Sequence, residues 1–424
     1  MVVAQAGAIA PTNGNPVETR RVTVASTGRK AAARPDKQSR ARRSSQKASV
    51  EPAVCSDAYS FYGAGTLRRG RRCVGIQFGV ARTGDSVHDG SGMNAVVPLR
   101  PIVLSIVGPG RSGTTILASI LGEVPNVLSI GELRWLWRRG LLEQRTCGCG
   151  RAPAECSLWS VVLARVLGWL PREALPNTPI IGIEAIVHDQ GELSARRNRL
   201  KVIRSAAGNG QTWPALRRMK GVTEEVYSAL VAVTGARLVV DTSKRAQDAA
   251  ILASTERVDH YVLHIVRDPR AVAFSWRRPK PVRPDSGDVR MGTRRLLPSI
   301  ARWVENCLGV ELLRLQIPPS RWMSLRYEDF AAQPRGTVDR ILAFVNLDER
   351  APFLSDDTVV LGPNHIVAGN PSRFRRGPVR IVSDSEWTQK MSSRDQRLVA
   401  ALTGPLLRRY RYPTRIVQYR EAHL

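Results

Sequence analysis

The sequence predicts an α/β fold, three layers with helices on both faces of a central, mostly parallel sheet, preceded by a disordered basic tail. Three observations carry this. Ile102, Val103, Leu104, Ile106 and Val107 form a branched apolar run of strand character, broken by Gly108-Pro109-Gly110-Arg111-Ser112-Gly113; helical periodicity then resumes from Thr115 through Leu121. Two more apolar runs, Arg237–Lys244 and Tyr261–Val266, end in polar or charged residues, as strands do where an open sheet meets its ligand crevice. Residues 1–94, by contrast, hold few large apolar side chains among many Arg, Ser, Ala and Gly. Such a segment cannot bury enough surface to offset its ordering entropy. The chain therefore divides into a tail, residues 1–94, and a folded domain, residues 95–424.

The bulk numbers agree. A chain of 424 residues with 43% hydrophobic content can build a substantial core. A net charge of +28 invites a nucleic-acid partner. Its distribution narrows that idea to the tail, where ten basic side chains between Arg20 and Lys47 face only Glu18 and Asp36. The remaining excess is spread through the body, as an enzyme of polyanionic ligands requires. No run approaches the roughly 18 apolar residues of a membrane span. Met1–Pro11 lacks the basic-then-apolar order of a secretory signal, although the Arg/Ser/Ala-rich, acid-poor tail has some character of an organelle transit peptide. Six cysteines without a disulfide framework fit a reducing, cytoplasmic setting.

Taken in order, the first strand, its glycine loop and the helix after it make an anion cradle, because loop N–H groups and the helix N-terminus converge on one spot. The glycine spacing is that of a P-loop, but Thr114 stands where a nucleoside-triphosphatase places Lys, and the cation is Arg111 inside the loop. Val124–Arg134 reads as a loop leading into a helix with Trp135 and Trp137. Cys147, Cys149 and Cys156 are part of the spacing of a zinc site. No fourth ligand is visible nearby, so they read as structural or incidental thiols and no metal ligand is assigned. Leu158–Leu170 and the basic region Glu184–Leu230 read as helical, the latter as a cap or acceptor-side insertion. Asp241 at its strand end admits two readings, a Walker-B carboxylate for Mg²⁺ or a strand delivering Asp241, Ser243 and Lys244 to the crevice. Arg267 ends the Tyr261–Val266 strand; Asp268 caps a helix Pro269–Arg277 that carries Ser275, so the two make a second anion site. Ser299–Leu315 reads as a helix capped by Ser299, Trp322–Phe330 as a strand leading to a loop, and Gly336–Phe344 as a helix. His365–Pro378 is a glycine-bracketed arginine loop, either closing over an anion or simply solvated, and helices near Asp384–Gln389 and Arg394–Tyr410 finish the chain.

Two anion sites without a Walker Lys resemble the sulfotransferases that use 3′-phosphoadenosine 5′-phosphosulfate (PAPS). Arg111-Ser112-Gly113-Thr114-Thr115, with Gly110 before it, matches the family's phosphosulfate loop, and Arg267 with Ser275 eight residues later matches its 3′-phosphate pair. The form RDPRAVAFS looks like bacterial, carbohydrate- and tyrosylprotein-type members. The resemblance implies a P-loop-type three-layer fold, PAPS as co-substrate and transfer of a sulfuryl group to a hydroxyl of a small molecule, carbohydrate or peptide. It implies Glu132, followed by Arg134, as general base, and Lys244 with Arg111 as stabilisers of charge on the transferring group. Arg376 and Gly377, with Arg375, approximate the family's closing loop over the 3′-phosphate. No metal is required, since the protein supplies the cations. The alternatives are an ATP-dependent P-loop kinase and, through the tail, a nucleic-acid-binding protein.

Overall fold

The computed structural model describes residues 100–168, 182–208, 213–278 and 292–416. The predicted tail, within which Cys73–Val80 reads as a weak strand-like run, and the predicted start of the folded domain at residue 95 lie outside them. Strand β1 (Ile102–Val107) is followed by the glycine loop and helix α1 (Thr114–Leu121). Next come β2 (Val127–Gly131), a 3₁₀ turn at Leu133–Trp135, a π-helical turn Leu136–Leu142, and α2 (Trp159–Leu167). Helices α3 (Ile183–Ser194), α4 (Arg199–Arg204) and α5 (Pro214–Thr234) precede β3 (Leu238–Lys244), α6 (Ala246–Ala253), β4 (Asp259–Val266) and α7 (Pro269–Arg277). The chain continues through α8 (Leu296–Arg314), β5 (Trp322–Arg326), α9 (Tyr327–Ala332), α10 (Pro334–Phe344), β6 (Thr358–Leu361), β7 (Gly377–Arg380), α11 (Trp387–Lys390) and α12 (Ser393–Arg409).

Strands β1 to β5 form one all-parallel sheet in the order β2-β3-β1-β4-β5. A parallel sheet has to be covered on both faces, because its crossover connections place helices there. The alternation along β1 shows it. Val103 and Val107 join Val239 and Val262 beneath α2, α3, α5 and α6, whereas Leu104 and Ile106 join Val240, Leu263 and Ile265 against α1, α9 and α10. The three-layer α/β/α prediction holds. A separate antiparallel hairpin, β6 with β7, packs at the α1 face.

Three local expectations are corrected. Val127–Gly131, read as loop, is the edge strand β2, its short apolar run having been hidden between Pro125 and Gly131. The segment after β5 is helix α9 rather than a loop. Ser299 is no cap: α8 starts at Leu296, and the Ser299 hydroxyl donates to the Arg295 carbonyl one turn back. Asp268 does cap α7, accepting from the Arg270 N–H at 2.8 Å. No helix among the described residues is long and apolar enough to cross a membrane.

Candidate active site

The sheet order sets the site. Parallel strands all point their carboxyl ends one way, and β2, β3, β1 and β4 are neighbours in that order. Their ends thus present, side by side, Glu132, Lys244, the loop 108–113 and Arg267. Residues more than a hundred positions apart in sequence meet because four strand ends do.

The loop leaves β1 at Gly108, whose N–H donates to the Lys244 carbonyl at 3.0 Å. Gly108 has φ 135°, and a Cβ there would lie 2.0 Å from the Ile265 carbonyl oxygen on β4. Only glycine fits this crossing. Arg111 takes a left-handed φ of 74° and lays its guanidinium on Trp276, 4.4 Å from the ring centroid. Arg294 covers the same ring at 4.3 Å. Burial, and then the charge of Arg294, pull the Arg111 pKa down to about 10. The Thr115 hydroxyl accepts from the Asn370 N–H at 3.3 Å, which ties the start of α1 to the C-terminal closing segment.

Glu132 follows β2 and is nearly buried. One carboxylate oxygen accepts from Lys244 Nζ and the other from Trp135 Nε1 at 3.0 Å. Its backbone N–H pairs with the Val367 carbonyl at 2.9 Å. Lys244 is itself held in a left-handed conformation, φ 71°, where β3 gains a residue against β1 between Asp241 and Lys244. Arg134 points away from the pair toward Asp248, 3.1 Å off.

These groups line one cavity of about 1090 Å³, large enough for a nucleotide and a second substrate. Gly110, Arg111, Gly113, Thr114, Thr115, Glu132 and Lys244 all face it. Ten Lys and Arg side chains line it against two carboxylates, Glu132 and Glu305. Three of those cations, Arg245, Arg294 and Arg302, carried no sequence signal; α6 and α8 bring them in. Burial, with Arg134 adding repulsion, lowers the Arg245 pKa to about 10, and burial beside Arg294 lowers that of Arg302. Crowding like charges is unfavourable in the free protein and is relieved by a polyanionic ligand.

The remaining predicted residues lie elsewhere. Ser112, Arg267 and Ser275 are buried and do not line the cavity. Arg267 donates to the Arg111 carbonyl at 3.1 Å, lies 3.3 Å from an Asp384 carboxylate oxygen, and stacks on Tyr327. Its Nε, and the Ser275 hydroxyl, have no hydrogen-bond partner among the described residues. Arg376 turns away to the Gly148, Arg373 and Arg375 carbonyls, and it is Arg375 that reaches the cavity. Asp241 is no free metal carboxylate: its oxygens accept from Tyr227 at 2.7 Å and from the Ser243 N–H and hydroxyl, each at 2.7 Å. Burial raises its pKa to about 6 against those hydrogen bonds.

Residues 206–351 match the model of the sulfotransferase family, a stretch that contains Lys244, Arg267 and Ser275. No curated protein matches the sequence. Among solved structures, a sulfotransferase domain from the curacin biosynthetic pathway aligns at 16% identity over 74% of this chain and 99% of its own, with a TM-score of 0.38. A Mycobacterium avium sulfotransferase aligns at 11% over 74% and 78%, TM-score 0.36. A retinol dehydratase in complex with androsterone and the inactive cofactor PAP aligns at 13% over 76% and 84%, TM-score 0.29. The matched segment supplies two of the four strand ends that build the cavity, and over that segment the chain is similar to the sulfotransferase family.

Proposed function

We propose that this enzyme moves a sulfuryl group from PAPS to a hydroxyl of a small-molecule, carbohydrate or peptide acceptor, with Glu132 as the general base. The observation that carries the reading is the contact between the Glu132 carboxylate and Lys244 Nζ beside the anion loop, in a cavity dominated by cations. The donor's identity rests on the resemblance of the Arg111–Thr115 and Arg267/Ser275 motifs. Glu132 followed by Arg134 favours a tyrosylprotein-type arrangement of the base.

In this reading the loop N–H groups, Arg111 and Thr115 hold the phosphosulfate. The acceptor hydroxyl gives its proton to Glu132 as its oxygen attacks sulfur in line, and the bond from sulfur to the bridging phosphate oxygen breaks. Lys244 and Arg111 meet the negative charge that grows on the bridging oxygen. Trp135 and Lys244 fix both oxygens of Glu132, so the base is positioned before the acceptor arrives. The step needs no metal, because the cations come from side chains. Arg267 and Ser275 take the 3′-phosphate, a role supported by their buried donors without partners among the described residues. The catalytic unit is residues 95–424, and Cys147, Cys149, Cys156 and Cys307, none of them disulfide-bonded, support a reducing, cytoplasmic setting.

Calorimetry on the full chain tests the donor. Adenosine 3′,5′-bisphosphate should bind in the micromolar range, with at least roughly tenfold loss in Arg111→Ala, the effect of one charge-assisted contact. A preference for ATP with Mg²⁺ over the bisphosphate would sink the reading and favour a kinase.

A further inference from the structure

The three cysteines that lacked a fourth partner in sequence acquire one in space. Cys147 and Cys156 are fully buried, and His365, 209 residues beyond Cys156, places Nδ1 at 3.1 Å from the Cys156 sulfur and 3.9 Å from that of Cys147. The Cys147 sulfur lies 3.1 Å from that of Cys149 and 3.7 Å from that of Cys156. All four ligand atoms fall within 4.8 Å of one another. In a tetrahedral zinc site, bonds of about 2.3 Å to sulfur and 2.0 Å to nitrogen put neighbouring ligand atoms about 3.5–3.8 Å apart. The cluster has that size and that donor set.

We propose that Cys147, Cys149, Cys156 and His365 bind one structural zinc ion. Four protein ligands leave no open coordination position, so the ion staples the fold and takes no part in transfer. The surroundings are built for it. The Cys149 N–H points at the Cys147 sulfur at 3.4 Å, and the N–H groups of Leu158 and Trp159 reach the Cys156 sulfur, each favouring a thiolate. The Trp159 indole donates to the His365 carbonyl at 2.9 Å and fixes that residue's backbone. Gly148 lies so close that a Cβ there would meet the Asn364 side-chain oxygen at 1.8 Å, and its N–H bonds the Ile366 carbonyl at 2.9 Å. A pair of buried thiols alone would need none of this; packed as small apolar groups, they would not draw a histidine between them.

The staple has a place in the enzyme. Two residues past His365, Val367 pairs through its backbone with Ile130 and Glu132, and Gly369, Asn370 and Arg375 then line the cavity. Zinc at this point pins the segment that forms one cavity wall to the loop after the π-helical turn.

Metal analysis of the full chain, purified without chelator, tests this independently of any transferase assay. The expected result is about one zinc per chain, falling at least roughly tenfold in Cys156→Ser and in His365→Ala. Should those variants not fold, wild-type protein expressed with Co²⁺ should show the thiolate charge-transfer and intense visible bands of a tetrahedral sulfur-rich site. Unfolded in chelator without reductant, a Cys55→Ser/Cys73→Ser variant should then yield all four of its remaining thiols. Zinc-free protein, a count two thiols short, or zinc retained in the folded Cys156→Ser/His365→Ala double variant would each overturn the proposal.

Discussion

Glu132 owes its position to two partners of opposite kind, an indole that donates without charge and an ammonium that brings one. Glu132→Gln keeps size and the indole contact but cannot accept the acceptor's proton. Transfer should drop on the order of a hundredfold or more, while the bisphosphate still binds, and steady-state kinetics beside calorimetry would separate the two. Arg267 presents the opposite problem, since a carboxylate already holds it. A 3′-phosphate that takes Arg267 has to compete with Asp384, so Asp384→Asn should tighten bisphosphate binding by a few fold, a shift of about 1 kcal/mol. Weaker binding in that variant would make Asp384 a positioner of Arg267 instead. At Gly108 the constraint is purely steric. Gly108→Ala drives a methyl into the Ile265 carbonyl and should leave little folded protein, read by circular dichroism and solubility.

At the scale of elements, helix α7 performs two tasks that its sequence showed only in part. Asp268 caps it, as the Asp-Pro pair predicts. Arg270, unremarked in sequence, is fully buried, grips the same Asp268 through two nitrogens at 2.9 and 2.6 Å, and donates to the Pro413 and Arg415 carbonyls. The motif thereby anchors the end of the described chain as well as the loop. As its penultimate residue, Trp276 stands between Arg111 and Arg294. Cation–π contacts of about 0.5–2 kcal/mol hold both guanidinium groups at the cavity wall. Trp276→Leu should weaken bisphosphate binding roughly tenfold and also lower the turnover number at saturating donor, because the ring holds Arg111, which meets the charge growing on the bridging oxygen.

For the whole molecule, β4 places two histidines in the parallel sheet, His264 buried and His260 half-buried. Burial lowers the pKa of His264 to about 4 and that of His260 to about 3, against an ordinary value of 6.5. Each binds a proton more readily when unfolded, so their share of stability is full above pH 6.5 and is lost as the pH falls toward those folded values. Asp241 acts oppositely: its contribution is full below the ordinary 3.8 and lost as pH rises through about 6. His264 sits edge-on between Trp322 and Tyr410, so a phenyl ring can replace it. His264→Phe should flatten the acid limb, retaining about 2 kcal/mol more stability near pH 5 relative to its own neutral value than the parent does, as read by denaturant titration. An unchanged limb would mean that His264 is protonated in the folded state.

The fold class, the loop 108–113 and the strands ending at Lys244 and Arg267 were legible because each is a local pattern: an apolar run, a glycine break, a cap, a spacing; Glu132 came only from the resemblance to a known family. Strand β2 was not, since an edge strand of five residues between Pro125 and Gly131 carries too little pattern to tell from a loop. Arg245, Arg294 and Arg302 were invisible because a cation's meaning depends on which cavity its helix faces, and α6 and α8 settle that only after packing. The same holds for Arg376, which reads like its neighbour Arg375 until the backbone turns one toward Gly148 and the other toward the cavity. His365 is the clearest case, joined to Cys147 and Cys156 across more than two hundred residues by nothing but the tertiary fold. The sequence by itself determined every strand of the sheet except β2, and the chemistry at the ends of β1, β3 and β4, because hydrophobic period and glycine placement are properties of neighbours along the chain. Only the tertiary structure decided which ends stand side by side, because strand order and helix packing are set by contacts between segments that the sequence keeps far apart.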